Sequence, residues 1–216
     1  MSARQVRIGQ VNRLKPARLE LGQTIGLVCP AGVPVPAERI DIGARALEAR
    51  GYRVRLGEHV RARHGTFAGT DNERVADFNR FLRDPEVRMI MAVRGGYGSG
   101  RLLEGVDFEA VRRDPKWVVG YSDLTALQMG LLARSGLVTV SGPMAGVEFR
   151  GTPDPFTEGH FWSLVRGEEV GWSLGNPEGE PWVPVRGGCV EGPLVGGCFS
   201  LVMSLFGLVY HANSSM

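Results

Sequence analysis

The sequence predicts an α/β fold, a mostly parallel sheet with helices on both faces, followed by the start of an incomplete second α/β domain. Two observations predict the first part: short apolar runs end at Gly or Pro turns, and segments of helical spacing separate them. A third predicts the second part: the alternation loosens after Pro143 and new glycine pairs begin near Arg186.

The elements follow in order. Thr24 to Cys29 (TIGLVC) is apolar and stops at Pro30-Ala31-Gly32, the pattern of a buried strand entering a turn. Ile40, Ala44, Leu47 and Ala49 then recur at helical spacing until Gly51, which can close a helix C-terminus. Tyr52 to Leu56 alternates as a second strand. Thr70-Asp71-Asn72-Glu73 has the Thr-x-x-Glu form of a capping box, and Val75, Phe78, Phe81 and Leu82 share a helix face up to Pro85. Val87 to Val93 and Trp117 to Gly120 read as buried strands, Asp123 to Arg134 as a helix, and Leu137 to Val140 as a further strand.

Beyond these elements the stretch from Gly151 to Pro184 is rich in Gly, Pro and Glu, with Trp162, Trp172 and Trp182 scattered through it. The expected organisation is therefore an N-terminal extension over 1–23, an α/β domain over 24–150, a linker or excursion over 151–184, and the beginning of a second domain over 185–216. Leu194 to Tyr210 is nearly all apolar but too short for the ~20 residues of a bilayer span, so a buried helix is expected there.

Composition narrows the function. The formal charge of +2 is small and the arginines are dispersed, so the basic footprint of a nucleic-acid binder is missing. Cys29, Cys189 and Cys198 form no Cys-x-x-Cys pair, which predicts reduced thiols and no structural metal site. Residues 1–23 carry arginines without an apolar core segment, so no secretory signal is read and a cytoplasmic location, away from membranes, is expected.

Two constellations carry chemistry. Gly120-Tyr121-Ser122-Asp123 puts a serine at a strand-to-helix junction, where a sharp turn exposes the hydroxyl beside unpaired helix N–H groups. It departs from the Gly-x-Ser-x-Gly elbow, and Ser122 can equally be a plain helix N-cap. Arg94-Gly95-Gly96-Tyr97-Gly98-Ser99-Gly100 follows another strand and can turn backbone N–H groups into a cleft. It lacks the Gly-Lys-Ser/Thr ending of a phosphate loop, and Arg101 breaks the dinucleotide fingerprint, so an ordinary turn and a nucleotide site both stay open. Both constellations lie at strand carboxyl ends, where open parallel sheets bind ligands. His59, His64, His160 and His211 have no local carboxylate partner.

Together, Ala92 to Gly98, Arg101-Leu102-Leu103, Val119 to Leu127 and Ser141-Gly142-Pro143 resemble the LD-carboxypeptidase family of serine peptidases in order and spacing. The resemblance extends to Ile25–Ala31, Gly69-Thr70 and Glu191–Gly197, nearly the whole chain after the extension. It implies a cytoplasmic hydrolase of peptidoglycan recycling that removes terminal D-alanine from a murein tetrapeptide, without a cofactor or metal. Its partner is a small muropeptide, with a homodimer left open. By the resemblance Ser122 is the nucleophile, and the N–H of Asp123 and the backbone of Gly95 and Gly96 form the oxyanion hole.

Relatives of the same family cleave a peptide–nucleotide antibiotic for self-immunity, and that substrate is a second expectation. The family's Glu and His, which complete its triad, match no residue here, so a C-terminally truncated chain with impaired turnover is expected. A non-catalytic muropeptide-binding remnant is the alternative. Truncation also predicts an exposed apolar patch over Leu194 to Tyr210 that favours association.

Overall fold

The computed structural model describes residues 13–168, 176, 181, 183–189 and 191–207. Five strands, β1 (Thr24–Val28), β2 (Arg53–Leu56), β3 (Val87–Ala92), β4 (Trp117–Gly120) and β5 (Val140–Ser141), form one sheet in the order β2-β1-β3-β4-β5. Every neighbouring pair is parallel, with Ile25 level with Val54 on one side and Met89 on the other, and Met89 level with Trp117. The α/β class and mostly parallel sheet expected for the first part of the chain are observed.

Parallel strands need crossovers, and helices on both faces supply them. The helices α2 (Asp71–Arg83), α3 (Phe108–Arg113) and α4 (Thr125–Ser135) cover one face, burying Phe78, Phe81, Val111 and Leu127 against Val28, Ile90 and Val118. Opposite, α1 (Arg39–Glu48) and α5 (Pro155–Arg166) bury Ile40, Leu47, Phe161 and Val165 against Ile25, Leu27, Met89, Met91 and Val119. Side chains on adjacent positions of β3 thus enter opposite cores, so the strand reads as a continuous apolar run. At the edge, β2 has one covered face and keeps the alternation of RVRL.

The capping box of α2 is formed: Thr70 Oγ1 accepts from the Glu73 N–H at 3.3 Å and Glu73 Oε2 accepts from the Thr70 N–H at 2.7 Å. It fixes the start of the helix that carries two residues important below, Arg74 and Asp77.

Several elements differ from the expectation. The last strand is Val140–Ser141 rather than Leu137 to Val140. Leu137 instead pairs with Leu14, because residues before β1 run beside the α4–β5 connection and exchange backbone hydrogen bonds with it. Within the excursion over 151–184, α5 is a full helix capped by Asp154, with Pro155 in its first turn and Gly167 closing it. Trp162 on α5 stacks on Tyr52 at 5.0 Å, which anchors the helix.

The buried helix expected over Leu194 to Tyr210 needs correction. Only α6 (Phe199–Ser204) is helical among the described residues there, none of its residues is buried, and Leu194 and Phe199 are 96% and 77% exposed. Gly196 and Gly197 lie just before α6, and glycine is disfavoured in helix interiors; Leu205 is buried in the core and Leu201, partly buried, packs against it. Trp172, Trp182 and the end of that stretch fall outside the described residues.

Candidate active site

Strand order places β3 at the centre, with β1 between it and the edge strand β2, and with β4 and β5 on its other side. Consecutive connections therefore diverge between β1 and β3 and leave a crevice at their carboxyl ends. The segments after β1, β3 and β4 meet there. Gly32 donates its N–H to Gly95 O at 3.3 Å, joining the first two, and Gly98 donates its N–H to Asp123 Oδ1 at 3.3 Å, joining the last two.

Ser122 sits in this crevice, exposed, with φ at +60°. Left-handed backbone costs an L-residue about 1–2 kcal/mol, so the surrounding contacts must impose it. They are visible on both sides. Gly120, at φ +152°, has no room for a side chain: a Cβ would lie 2.5 Å from Leu124 and 3.2 Å from Ala92. Its carbonyl accepts from Gln128 Nε2 at 2.9 Å, which ties the end of β4 to α4.

The alternative reading of Ser122 as a helix N-cap does not match the geometry. Leu124 occupies the cap of α4, Ser122 begins a short 3-10 turn, and its Oγ has no hydrogen-bond partner among the described residues. The hydroxyl is held out toward the glycine-rich turn. A Cβ placed on Gly95 would lie 3.1 Å from Ser122 Cβ, 3.3 Å from its Oγ and 3.6 Å from the Asp123 nitrogen.

The Gly95-Gly96 turn is shaped by contact rather than by a phosphate motif. At φ +135° a Cβ on Gly96 would strike the Gly32 backbone at 2.8 Å. Among the described residues, neither the Gly95 nor the Gly96 N–H has an acceptor. Donors without partners beside an exposed hydroxyl are what a developing oxyanion needs.

Three side chains brace this arrangement, and sequence reasoning assigned none of them that task. Asp123 had been singled out for its N–H alone, yet its buried carboxylate accepts from the N–H groups of Gly98 and Ser99, the latter at 2.8 Å, while its carbonyl accepts from Ser99 Oγ. Arg74, 2% exposed, donates Nη1 to Pro30 O at 2.6 Å and to Gly98 O at 3.1 Å, pairs with Asp71, and lies over Phe67. Burial draws its pKa below the ordinary arginine value, and Asp71 opposes that. Tyr121 donates its hydroxyl to Glu148 at 2.9 Å, and Glu148 also accepts from the Met144 N–H, joining the turn to the segment after Pro143. Burial, helped by Glu148, pushes the Tyr121 pKa up to about 12. A buried Arg in a helix beginning with a capping box was the one available signal.

The histidines are elsewhere. His59 is held by Asp77 at 3.0 Å, with its pKa raised by that hydrogen bond, and His160 Nδ1 meets Phe156 O within α5. His64 shares a backbone bridge with Phe67. His211 falls outside the described residues. No described histidine hydrogen-bonds Ser122, so the site offers a hydroxyl and donors without a base in contact. Cys29 is buried with its thiol pKa raised by desolvation, which makes it inert.

Comparison with known proteins identifies the family. Residues 25–142 match the LD-carboxypeptidase N-terminal domain. The chain is 36% identical over 202 residues to the "Probable murein peptide carboxypeptidase" of Bacillus subtilis strain 168, covering 93% of this chain and 62% of that relative. Among solved structures it superposes on the microcin C7 self-immunity protein MccF in complex with aspartyl sulfamoyl adenosine, with a TM-score of 0.80 at 26% identity over 92% of this chain and 67% of that one. The muramoyltetrapeptide carboxypeptidase from Oxalobacter formigenes gives 0.72 at 30% identity, over 88% and 62% respectively. The chain thus spans 62% of the length of the curated relative it matches. Among the described residues no helix is long and apolar enough to cross a membrane. The matched residues 25–142, more than half of the chain, and the parallel α/β sheet shared with solved relatives place this chain in the LD-carboxypeptidase family.

Proposed function

We propose that this chain carries the nucleophile of a serine-type carboxypeptidase that releases terminal D-alanine from a murein tetrapeptide. The observation that carries the reading is Ser122: exposed, at φ +60°, facing a glycine turn whose N–H groups are unpartnered among the described residues. In this reading Ser122 Oγ attacks the scissile carbonyl, and the N–H groups of Asp123, Gly95 and Gly96 receive the negative oxygen. D-alanine leaves with a proton on its amine, and water releases the acyl peptide. The relatives named for murein peptides support the substrate, a small muropeptide.

Since no side chain among the described residues reaches Ser122 Oγ, turnover is proposed to be slow. Incubation of the purified chain with murein tetrapeptide, followed by quantification of D-alanine, tests the function. Release that disappears in Ser122→Ala supports it; release equal in both proteins contradicts it.

The unpartnered hydroxyl also favours a second reading, a muropeptide-binding module without turnover. Calorimetric binding of the tetrapeptide with no product formed would establish that reading instead. The structural likeness to the self-immunity protein favours a third substrate class, aminoacyl nucleotide analogues. Hydrolysis of an aspartyl nucleotide with the tetrapeptide left intact would select it.

A further inference from the structure

Beside the turn that faces Ser122 lies a cavity of about 310 Å³, walled by residues after β1, by the 63–66 turn and by the segment after β3. Two of its lining residues are arginines, Arg63 and Arg94, and no acidic residue lines it. The neighbouring arginines Arg61, Arg74 and Arg101 are each paired, with Asp41 or Asp71. By contrast, Arg63 and Arg94 have no carboxylate partner among the described residues. Their hydrogen bonds go to backbone carbonyls, Arg63 to Gly65 O at 3.3 Å, Arg94 to Gly95 O and Val33 O at 3.1 Å each. Those bonds use Nε of both residues and Nη1 of Arg94, and they orient each guanidinium while leaving donors unused.

From this geometry we infer that the cavity is a carboxylate subsite in which Arg63 and Arg94 hold the terminal carboxylate of the peptide whose carbonyl Ser122 attacks. This rests on the reading of Ser122 given above. Gly95 faces Ser122, a Cβ on it would lie 3.1 Å from Ser122 Cβ, and the adjoining Gly96 lines the cavity, so the two sites adjoin. A terminal carboxylate is removed from the scissile carbonyl carbon only by the amide nitrogen and the α-carbon, which is a matching reach. The volume is at the low end for ligand pockets, room for the end of a peptide rather than for its length. Val33 and Val35 give the cavity an apolar wall for a methyl side chain, and the planar guanidinium fork suits a carboxylate.

The test is calorimetry on the full chain carrying Ser122→Ala, which prevents turnover and leaves the cavity intact. Two probes are compared, murein tetrapeptide with its free terminal carboxylate and the same peptide ending in a carboxamide. The acid is expected to bind roughly tenfold to a hundredfold tighter, as a lost charge-assisted hydrogen bond predicts. Adding Arg94→Gln or Arg63→Gln should remove that difference without weakening the amide. Arg63→Gln keeps the test sound if Arg94→Gln disturbs the Gly95 turn, since Arg63 is exposed and among the described residues bonds only Gly65. Equal binding of acid and amide in the parent would overturn the subsite while D-alanine release could still support Ser122. A preference that survives both replacements would overturn it too. Arg63-dependent binding of adenosine monophosphate with no binding of either peptide would assign the cavity to a phosphate and also overturn it.

Discussion

Gly95 faces Ser122 in close approach across two segments that lie far apart in sequence, and a Cβ on Gly95 would stand 3.1 Å from Ser122 Cβ. The approach explains why glycine is needed after β3. It also fixes the distance between the hydroxyl and the N–H groups assigned to the oxyanion.

Replacing that glycine separates site from fold. Gly95→Ala puts a methyl 3.3 Å from Ser122 Oγ, where the exposed serine can yield, so stability should change by less than about 1 kcal/mol. Peptide turnover should fall about a hundredfold, because a small displacement of reacting atoms is enough. Gly96→Ala is different: its positive φ and the Gly32 backbone at 2.8 Å predict a stability loss of about 1–3 kcal/mol. Urea unfolding of both variants, set beside D-alanine release, checks the contrast.

Asp123 should act through its side chain as well as its N–H. Asp123→Ala strips the acceptors from the buried N–H groups of Gly98 and Ser99 and should cost about 2–4 kcal/mol. Asp123→Asn keeps one carbonyl oxygen and should lose less. If both variants unfold at the wild-type urea midpoint, the proposed brace between the β3 and β4 segments is wrong.

The pair His59–Asp77 predicts a pH dependence. Hydrogen bonding to Asp77 raises the folded-state pKa of His59 above its ordinary 6.5. Its stabilisation is therefore complete below the unfolded pKa and lost as pH rises through the folded one. The difference in urea midpoint between wild type and His59→Gln should be larger near about pH 5.5 than near about pH 8.5. A difference that grew with pH would reverse the assignment.

Much of the scaffold was legible because parallel strands, buried on both faces, leave continuous apolar runs such as TIGLV and VRMIMA. The capping box of α2 was equally plain. Helix α5 was hidden by glycine and proline around it, although Asp154, Pro155 and Gly167 are a complete set of start and stop signals. The apolar stretch after Leu194 misled because hydrophobicity alone does not say what covers a segment. In the site, Ser122 and the glycine turn could be found from local pattern. Arg74 and Glu148 could not, since Pro30, Gly98 and Tyr121, which they bond, come from distant segments, and Arg63 could not, since only the fold brings its turn beside Arg94.

The central claim, that Ser122 Oγ opens onto oxyanion donors, is tested most directly by boron-11 NMR of the chain with a short peptide boronic acid. The trigonal boron adds the serine oxygen, a proton is released, and the negative tetrahedral adduct stands where the reaction's oxyanion would. The prediction is a tetrahedral signal stoichiometric with wild-type chain and missing in Ser122→Ala. Boron that stays trigonal with wild type, or a tetrahedral signal that survives Ser122→Ala, would contradict it.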